Sequence, residues 1–103
     1  MIALEKDIER KLRQMIEAHG GKCVKWVCPG WAGVPDRIIL LSYGRIFFVE
    51  TKRPKNGRLS KIQMLWQKWL TDLGFSYSVV WNERDLAEFH QYVFPEDFRR
   101  AKE

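Results

Sequence analysis

Residues 33–54, with the sequence GVPDRIILLSYGRIFFVETKRP, constrain the fold of this chain more than any other segment. Two apolar runs, at 36–42 and 45–52, are separated by a Tyr-Gly pair that is typical of a tight turn. Short apolar runs bounded by turn residues are typical of buried strands. The segment therefore predicts a β-hairpin, which must lie in a sheet that is covered by other elements.

Charged side chains lie at the open end of this predicted hairpin. Side chains alternate between the two faces of a strand, so Glu50 and Lys52 project from one face and Thr51 from the other. Asp36 begins the paired strand, and the pairing brings it close to Glu50 and Lys52. Two carboxylates gathered at one place repel each other unless a positive charge lies between them.

A hard divalent cation, Mg²⁺ or Mn²⁺, meets this requirement because such ions bind oxygen ligands. We expect Asp36 and Glu50 to be ligands, with the backbone carbonyl of Thr51 as a further one. The ion would polarise a phosphoryl oxygen, while Lys52 would orient the attacking water or stabilise charge on the phosphate. The pattern thus indicates a phosphodiester hydrolase. The spacing leaves one alternative open, which is a structural Glu50–Lys52 ion pair with Asp36 as a cap.

The rest of the chain predicts a mixed α/β sheet flanked by helices, in the order α-β-β-β-α-β-α. The elements outside the hairpin are a helix at 2–19, a strand at 22–28, a helix at about 60–73, a strand at 75–81 and a helix ending at about 92. The first three strands can form an antiparallel meander, and the helix before the fourth fits a crossover to a parallel strand. We expect one domain over 1–103, with a core at about 2–92 and a frayed tail at 95–103.

The composition indicates a folded intracellular protein. Hydrophobic residues make up 46% of the 103 residues and aromatics 14%, which argues against disorder. No apolar run approaches the roughly 20 residues of a membrane span. The first segment is charged from residue 5 onward and lacks the apolar core of a signal peptide.

The cysteines and histidines give no sign of a metal site or a disulfide. Cys23 and Cys28 have no further cysteine near them, and an intracellular chain rarely forms disulfides. His19 and His90 fall at the ends of predicted helices without ligand spacing between them. We therefore expect all four to be ordinary strand and helix-end residues.

The net charge of +5 suits an anionic partner, and its distribution favours DNA. Residues 51–71 hold six basic and no acidic side chains, which would suit a phosphate backbone, although a solvated surface is the alternative. Trp66 and Trp69 fall on the apolar stripe of their helix and are expected in the core. The side chains that we expect to contact nucleic acid are Arg53, Lys55, Arg58, Lys61, Arg37 and Trp31, the last by stacking on a base.

Several segments of the chain together resemble a known nuclease family. The motifs are EKDIERKL, GVPDR, GRIFFVETKRP and LSKIQMLWQKWLTDLGF, spread over about residues 4–81. Their amino-acid sequences resemble those of the VRR-NUC (virus-type replication-repair nuclease) domain. The Pro-Asp pair followed by Glu-x-Lys resembles the motif of the wider PD-(D/E)XK nuclease superfamily. The resemblance implies a metal-dependent nuclease of branched or flapped DNA, in the cytoplasm of a bacterial or phage-infected cell.

The resemblance also implies roles for individual residues. Asp36 and Glu50 match the metal-binding carboxylates of the family, and Lys52 matches its catalytic lysine. Gln63 matches the glutamine on the following helix, although it also lies three residues after Ser60, the spacing of a capping box.

The family pattern further includes a glutamate on the first helix, which would join the catalytic and metal-binding set. We favour Glu9 for this position, with Glu5 as the alternate one helical turn earlier. Glu9 has an ordinary structural alternative as well, which is an ion pair with Arg13.

Three hypotheses follow for function. The first is an endonuclease that resembles Holliday-junction resolvases and acts on branched DNA as a homodimer. The second is a flap-directed or single-strand-directed nuclease that works with a replication or repair partner. The third is a DNA-binding module without catalytic activity.

Overall fold

The computed structural model describes residues 5–52 and 58–99, with only the backbone of Glu5. The main elements are α1 (Glu5–Ala18), β1 (Lys22–Lys25), β2 (Arg37–Leu41), β3 (Arg45–Thr51), α2 (Lys61–Asp72), β4 (Ser76–Val80) and α3 (Glu83–Val93). Short 3-10 turns lie at Ser42–Gly44 and Pro95–Phe98. This order confirms the predicted α-β-β-β-α-β-α arrangement.

The four strands form one sheet in the order β1-β2-β3-β4. The first three strands are antiparallel, and β4 runs parallel to β3 after the α2 crossover, as predicted. The hairpin turn is tight because Tyr43 adopts a left-handed backbone conformation with φ 64°. Arg37 pairs with Val49 in the hairpin register, which places the start of β2 beside the end of β3.

One face of the sheet is covered by α1 and α3 and holds the main core. Ile8, Leu12 and Ile16 repeat at every fourth position of α1, so they share one side of the helix and are fully buried. They pack in one cluster with Ile39 of β2 and Val49 of β3. This burial fixes which side chains of the hairpin face inward, and therefore where the charged ones point.

The opposite face is covered by α2 and is only partly buried. Leu70 is the buried residue of this helix, whereas Trp69 is 38% exposed and Leu73 is 73% exposed. The prediction that Trp66 and Trp69 lie in the core was thus wrong, because Trp66 is only partly buried and Trp69 is exposed. A helical stripe shows which side of a helix is apolar, but it does not show how much sheet lies beneath it.

The aromatic side chains on this face form a connected group that we call the tryptophan cluster, made of Trp26, Trp31, Trp66 and Trp69. Trp66 lies at its centre, with ring centroids 5.6, 5.7 and 5.3 Å from those of Trp26, Trp31 and Trp69 respectively. Trp31 is 58% exposed, so the cluster presents an aromatic surface to solvent.

The C-terminal segment differs from the predicted frayed tail over residues 95–99. Pro95–Phe98 forms a 3-10 turn, and the Asp97 carboxylate contacts both His19 and His90 at 2.7 Å. Phe94, just before this turn, is buried in the core. These contacts hold the segment against the ends of α1 and α3. None of the helices in the described ranges is long and apolar enough to cross a membrane.

Candidate active site

The hairpin register brings two carboxylates together at the open end of the β2–β3 pair. The Asp36 backbone N–H donates to Glu50 Oε1 at 3.2 Å. Asp36 Oδ2 accepts from the backbone N–H and the hydroxyl of Thr51, at 3.0 and 2.9 Å. Within the described ranges no protein donor reaches Asp36 Oδ1, so this oxygen remains available to a ligand.

Glu50 is a buried acid in an unfavourable position for its charge. The residue is 2% exposed, and burial, reinforced by the negative charge of Asp36, raises its pKa to about 7. The Lys52 ammonium and the Asp36 amide oppose this rise without cancelling it. A divalent cation would favour the charged form of both carboxylates. The donor set and its electrostatics therefore fit a hard cation, held by Asp36 and Glu50.

Lys52 points to the same place as Glu50, as alternation along β3 predicts. Its Nζ lies 3.6 Å from Glu50 Oε2, and its side chain is 19% exposed. The ammonium is therefore close to the carboxylate pair and still accessible to a bound phosphate.

Gln63 forms the predicted capping box of α2 and also contacts Glu50. Its backbone N–H donates to Ser60 Oγ at 3.2 Å, and its Oε1 accepts from the Ser60 N–H at 2.9 Å, which completes the capping box of α2. Because the cap occupies the carbonyl oxygen, the amide Nε2 is directed outward and donates to Glu50 Oε2 at 3.0 Å. The first turn of α2 thus positions a buried carboxylate.

Glu9 forms an ion pair with Arg37. Arg37 Nη2 donates to Glu9 Oε1 at 3.1 Å, with both side chains largely buried. The alternative pairing with Arg13 was wrong, since Arg13 pairs with Glu17 at 3.3 Å. The reason is strand alternation, because Arg37 follows Asp36 and projects toward α1. The side chain of Glu5 lies outside the described residues.

Of the basic side chains predicted to contact DNA after the hairpin, Arg53 and Lys55 lie outside the described residues. Arg58 and Lys61 are exposed, just before and at the start of α2. A cleft of about 470 Å³ also opens beside α1, and we call it the basic cleft; its lining is Lys6, Glu9, Arg10, Arg13, Lys25 and Arg37. The signal that the sequence offered was the spacing of residues 6, 10 and 13, which fall on one side of a helix.

Tyr77 is another residue that the sequence reasoning missed. It pairs with Phe48 in the β3–β4 register, two residues before Glu50. Its hydroxyl is buried without a hydrogen-bond partner in the described part of the chain. Burial, with the nearby charges of Glu50 and Asp36, raises the pKa of this phenol, so it remains protonated. The predicted parallel pairing of β3 and β4 was the feature of the sequence that could have placed Tyr77 near Glu50.

The loop before Asp36 is fitted closely against α2. Gly33 has φ 82°, and a Cβ added there would lie 2.7 Å from the Ile62 side chain. The Trp66 indole N–H donates to the Ala32 carbonyl oxygen at 2.9 Å. These two contacts fix the loop that carries Trp31 relative to the site.

Comparison with known proteins shows similarity to one protein named as a nuclease and to one solved nuclease-type domain. No protein-family model matches the chain. A 50-residue segment is 46% identical to a protein named "Putative nuclease p44" from Acyrthosiphon pisum secondary endosymbiont phage 1, and it covers 48% of this chain and 54% of that protein. The chain therefore spans about half the length of this relative. A solved VRR_NUC domain superposes with a TM-score of 0.77 at 25% identity, covering 84% of this chain and 94% of the other.

The chain shares the fold of a VRR_NUC domain over most of its length. The family resemblance and the mixed sheet predicted from the sequence are both confirmed. In this chain, Asp36, Glu50, Lys52 and Gln63 come together at one end of the sheet.

Proposed function

We propose that this chain is a VRR-NUC-type, metal-dependent nuclease that hydrolyses phosphodiester bonds in structured DNA. The observation that carries the proposal is the buried Glu50 carboxylate, whose charge is opposed by burial and by the nearby Asp36 charge. It accepts the Asp36 backbone N–H at 3.2 Å and lies 3.6 Å from Lys52 Nζ. A fold that needed only stability would gain nothing from such a group, because burying like charges is costly. A cation site explains why the carboxylates are placed together.

The proposed roles follow from the contacts of each side chain. Asp36 and Glu50 would hold Mg²⁺ or Mn²⁺, with the Thr51 carbonyl as a further ligand, and the bound ion would supply Lewis-acid polarisation and a water of lowered pKa. Lys52 would stabilise charge on the scissile phosphate or orient the attacking water. Gln63 is a positioning residue, since it fixes the Glu50 carboxylate through its amide. Glu9 remains a candidate ligand only if it leaves Arg37.

The basic cleft supports DNA as the substrate. It joins three basic residues of α1 to Lys25 and to Arg37, which directly follows Asp36 in the chain. The five cationic groups of the lining outnumber the three carboxylates paired with them, those of Asp7, Glu9 and Glu17, so a polyanion would be attracted. We infer that a DNA backbone approaches the site along this cleft, and that Arg58 and Lys61 contact phosphates on the α2 side.

A branched substrate is our proposal for the preferred DNA. The basic cleft lies beside α1 and the tryptophan cluster beside α2, so duplex and unpaired DNA would meet different surfaces. A homodimer would place two such sites on the strands of a four-way junction. The exposed ring of Trp31 favours the second candidate, a flap or single-strand nuclease, because an aromatic face stacks on an unpaired base.

The test is cleavage of labelled four-way junction, 5′-flap, single-stranded and plain duplex DNA, with Mg²⁺, Mn²⁺ or EDTA. We expect metal-dependent cleavage of a branched substrate by the wild-type protein, and binding without cleavage by Glu50→Ala. Arg84→Ala is the matched control, because Arg84 is an exposed basic residue of α3, in a different element from the site. It should cut at the wild-type rate.

Three outcomes distinguish the resolvase-like nuclease, the flap or single-strand nuclease and a chain without nuclease activity of its own. Symmetric nicks on the junction, together with a dimer in light scattering, would support the resolvase-like reading. Flap or single-strand cleavage by a monomer would support the second candidate. If DNA is bound but never cut with either metal, the chain is not a nuclease on its own.

A further inference from the structure

A second cluster of metal-binding side chains lies at the other end of the sheet from Asp36 and Glu50. His19 follows α1, His90 lies in the last turn of α3, and Asp97 lies in the 3-10 turn after it. Their nearest ligand atoms all lie within 4.8 Å of one another. His19 is ten residues beyond Glu9, so about 15 Å of helix separates this cluster from the basic cleft.

Both histidines direct the same ring nitrogen at the same carboxylate oxygen. His19 Nε2 and His90 Nε2 each lie 2.7 Å from Asp97 Oδ2. The carboxylate is about one-third exposed and the two imidazoles are 24% and 31% exposed. The group is therefore ordered by contacts on several sides and remains open to an ion from solvent.

The hydrogen bond on the far side of the His19 ring decides its tautomer. His19 Nδ1 lies 2.8 Å from the Met15 carbonyl oxygen, which can only accept. Nδ1 therefore carries the proton, and in the neutral ring Nε2 presents a lone pair. That lone pair faces Asp97 Oδ2, which is also an acceptor. The contact is repulsive unless a positive charge, either a second proton on the ring or a metal ion, lies there.

The surroundings of the rings are those of an oriented metal ligand. A histidine that binds a metal through Nε2 commonly donates its Nδ1–H to a carbonyl, which fixes the ring, and His19 has this arrangement with Met15. Phe94 stacks on His19 with centroids 3.6 Å apart and rings 8° from parallel. The Phe98 ring packs edge-on against His90 at 4.8 Å. Both imidazoles are thus held in place before any ligand binds.

We propose that His19, His90 and Asp97 form a binding site for Zn²⁺ or a similar borderline divalent cation, separate from the nuclease centre. Two imidazoles and one carboxylate suit Zn²⁺, Co²⁺ or Ni²⁺ rather than Mg²⁺. Ligand bonds of 2.0–2.2 Å place ligand atoms roughly 3.3 Å apart in a tetrahedral site, which small side-chain rotations reach from the present positions. Water would complete the coordination.

Such an ion would join three parts of the chain that are distant in sequence. It would tie the end of α1, the end of α3 and the C-terminal 3-10 turn to one centre. Its role would be structural, because in the described part of the chain its three side chains make no contact with Asp36 or Glu50. The proposal does not depend on the proposed nuclease activity.

Metal titration of the untagged, EDTA-treated protein tests the site. We expect one equivalent of Co²⁺ to give the intense visible absorption of a tetrahedral or five-coordinate nitrogen-containing site, and Zn²⁺ to displace it. His90→Ala and Asp97→Asn should each weaken Zn²⁺ binding by at least about 100-fold, since they remove a ligand rather than an outer contact. Zn²⁺ should raise the Tm of the wild type and leave the Tm of His90→Ala unchanged.

Asp36→Ala is the matched control, because it removes a carboxylate at the other metal centre and should leave Co²⁺ absorption intact. Circular dichroism confirms that each variant is folded, and His90→Gln replaces His90→Ala if the latter is not. The proposal is overturned if the folded wild type takes up no Zn²⁺ at micromolar concentration, or if uptake is lost in Asp36→Ala and kept in His90→Ala. Nitrogen NMR that shows a doubly protonated His19 unaffected by Zn²⁺ would establish a simple ion pair instead.

Discussion

Replacing Gln63 by Glu separates the two functions that its side chain combines. Glutamate accepts the Ser60 N–H as well as glutamine does, so the cap of α2 is retained. The donor to Glu50 Oε2 is lost, and a carboxylate takes its place. A hydrogen bond to a charged group contributes about 1.5–3 kcal/mol to the free energy of unfolding. Repulsion between the new carboxylate and that of Glu50 adds to this loss of stability.

The loss should depend on pH because Glu50 titrates. At pH 8 without metal Glu50 is largely ionised, and we expect Gln63→Glu to lower the Tm by at least about 6 °C, at roughly 4 °C or more per kcal/mol for a domain of this size. Well below the Glu50 pKa of about 7, a protonated Glu50 can donate to the new carboxylate. The difference from wild type should therefore shrink toward pH 5.

Ser60→Ala is the control for the cap alone. It removes the acceptor of the Gln63 N–H and leaves the Gln63 amide directed at Glu50. We expect the free energy of unfolding to fall by about 1 kcal/mol, equally at pH 5 and pH 8, and DNA cleavage to be retained. Thermal unfolding of the three proteins at both pH values is the measurement. Equal, pH-independent losses in the two variants would refute the idea that the α2 cap positions the carboxylate.

Three other predictions concern charge at the same end of the sheet. The pKa of Glu50 in the folded state lies above its ordinary 4.5, so the folded state binds a proton more tightly than the unfolded state does. The free energy of unfolding of the metal-free protein should therefore fall by up to roughly 3 kcal/mol as the pH rises from about 4.5 to 7. Denaturant unfolding should show this fall in the wild type and a smaller one in Glu50→Ala. Lys52→Met removes the nearest cation and should slow cleavage by about 100-fold or more with DNA binding retained, whereas a near-normal rate in gel assays would remove Lys52 from the chemistry. Arg10→Glu should weaken DNA binding and lower the salt-dependence slope by about 1 or more, and an unchanged slope would place the DNA elsewhere than the basic cleft.

The hairpin and its charges could be predicted because strand alternation and a tight turn leave few choices. Once residues 36–42 and 45–52 pair around Tyr43, the register and the buried face follow from the apolar pattern. The grouping of Asp36, Glu50 and Lys52 is a direct result. Gln63 was singled out only by the family resemblance, because its contact with Glu50 depends on how α2 packs.

The sequence could not show contacts that depend on how separate elements pack. The partner of Glu9 is Arg37, which is 28 residues away and is placed by the sheet rather than by the helix. His19 and Asp97 are 78 residues apart, and no spacing rule joins them. The exposure of Trp69 likewise depends on how much of α2 the four-stranded sheet can cover.

The close fit of Gly33 against Ile62 has a consequence for where a DNA strand would be cut. The loop that bears Trp31 and leads into Asp36 packs so closely against α2 that a Cβ at Gly33 would meet the Ile62 side chain at 2.7 Å. Together with the hydrogen bond from Trp66 to Ala32, this fit would hold Trp31 at a set distance from the carboxylates. A base stacked on Trp31 would then lie at a fixed distance from the scissile phosphate, so the position of the cut would be set relative to that base.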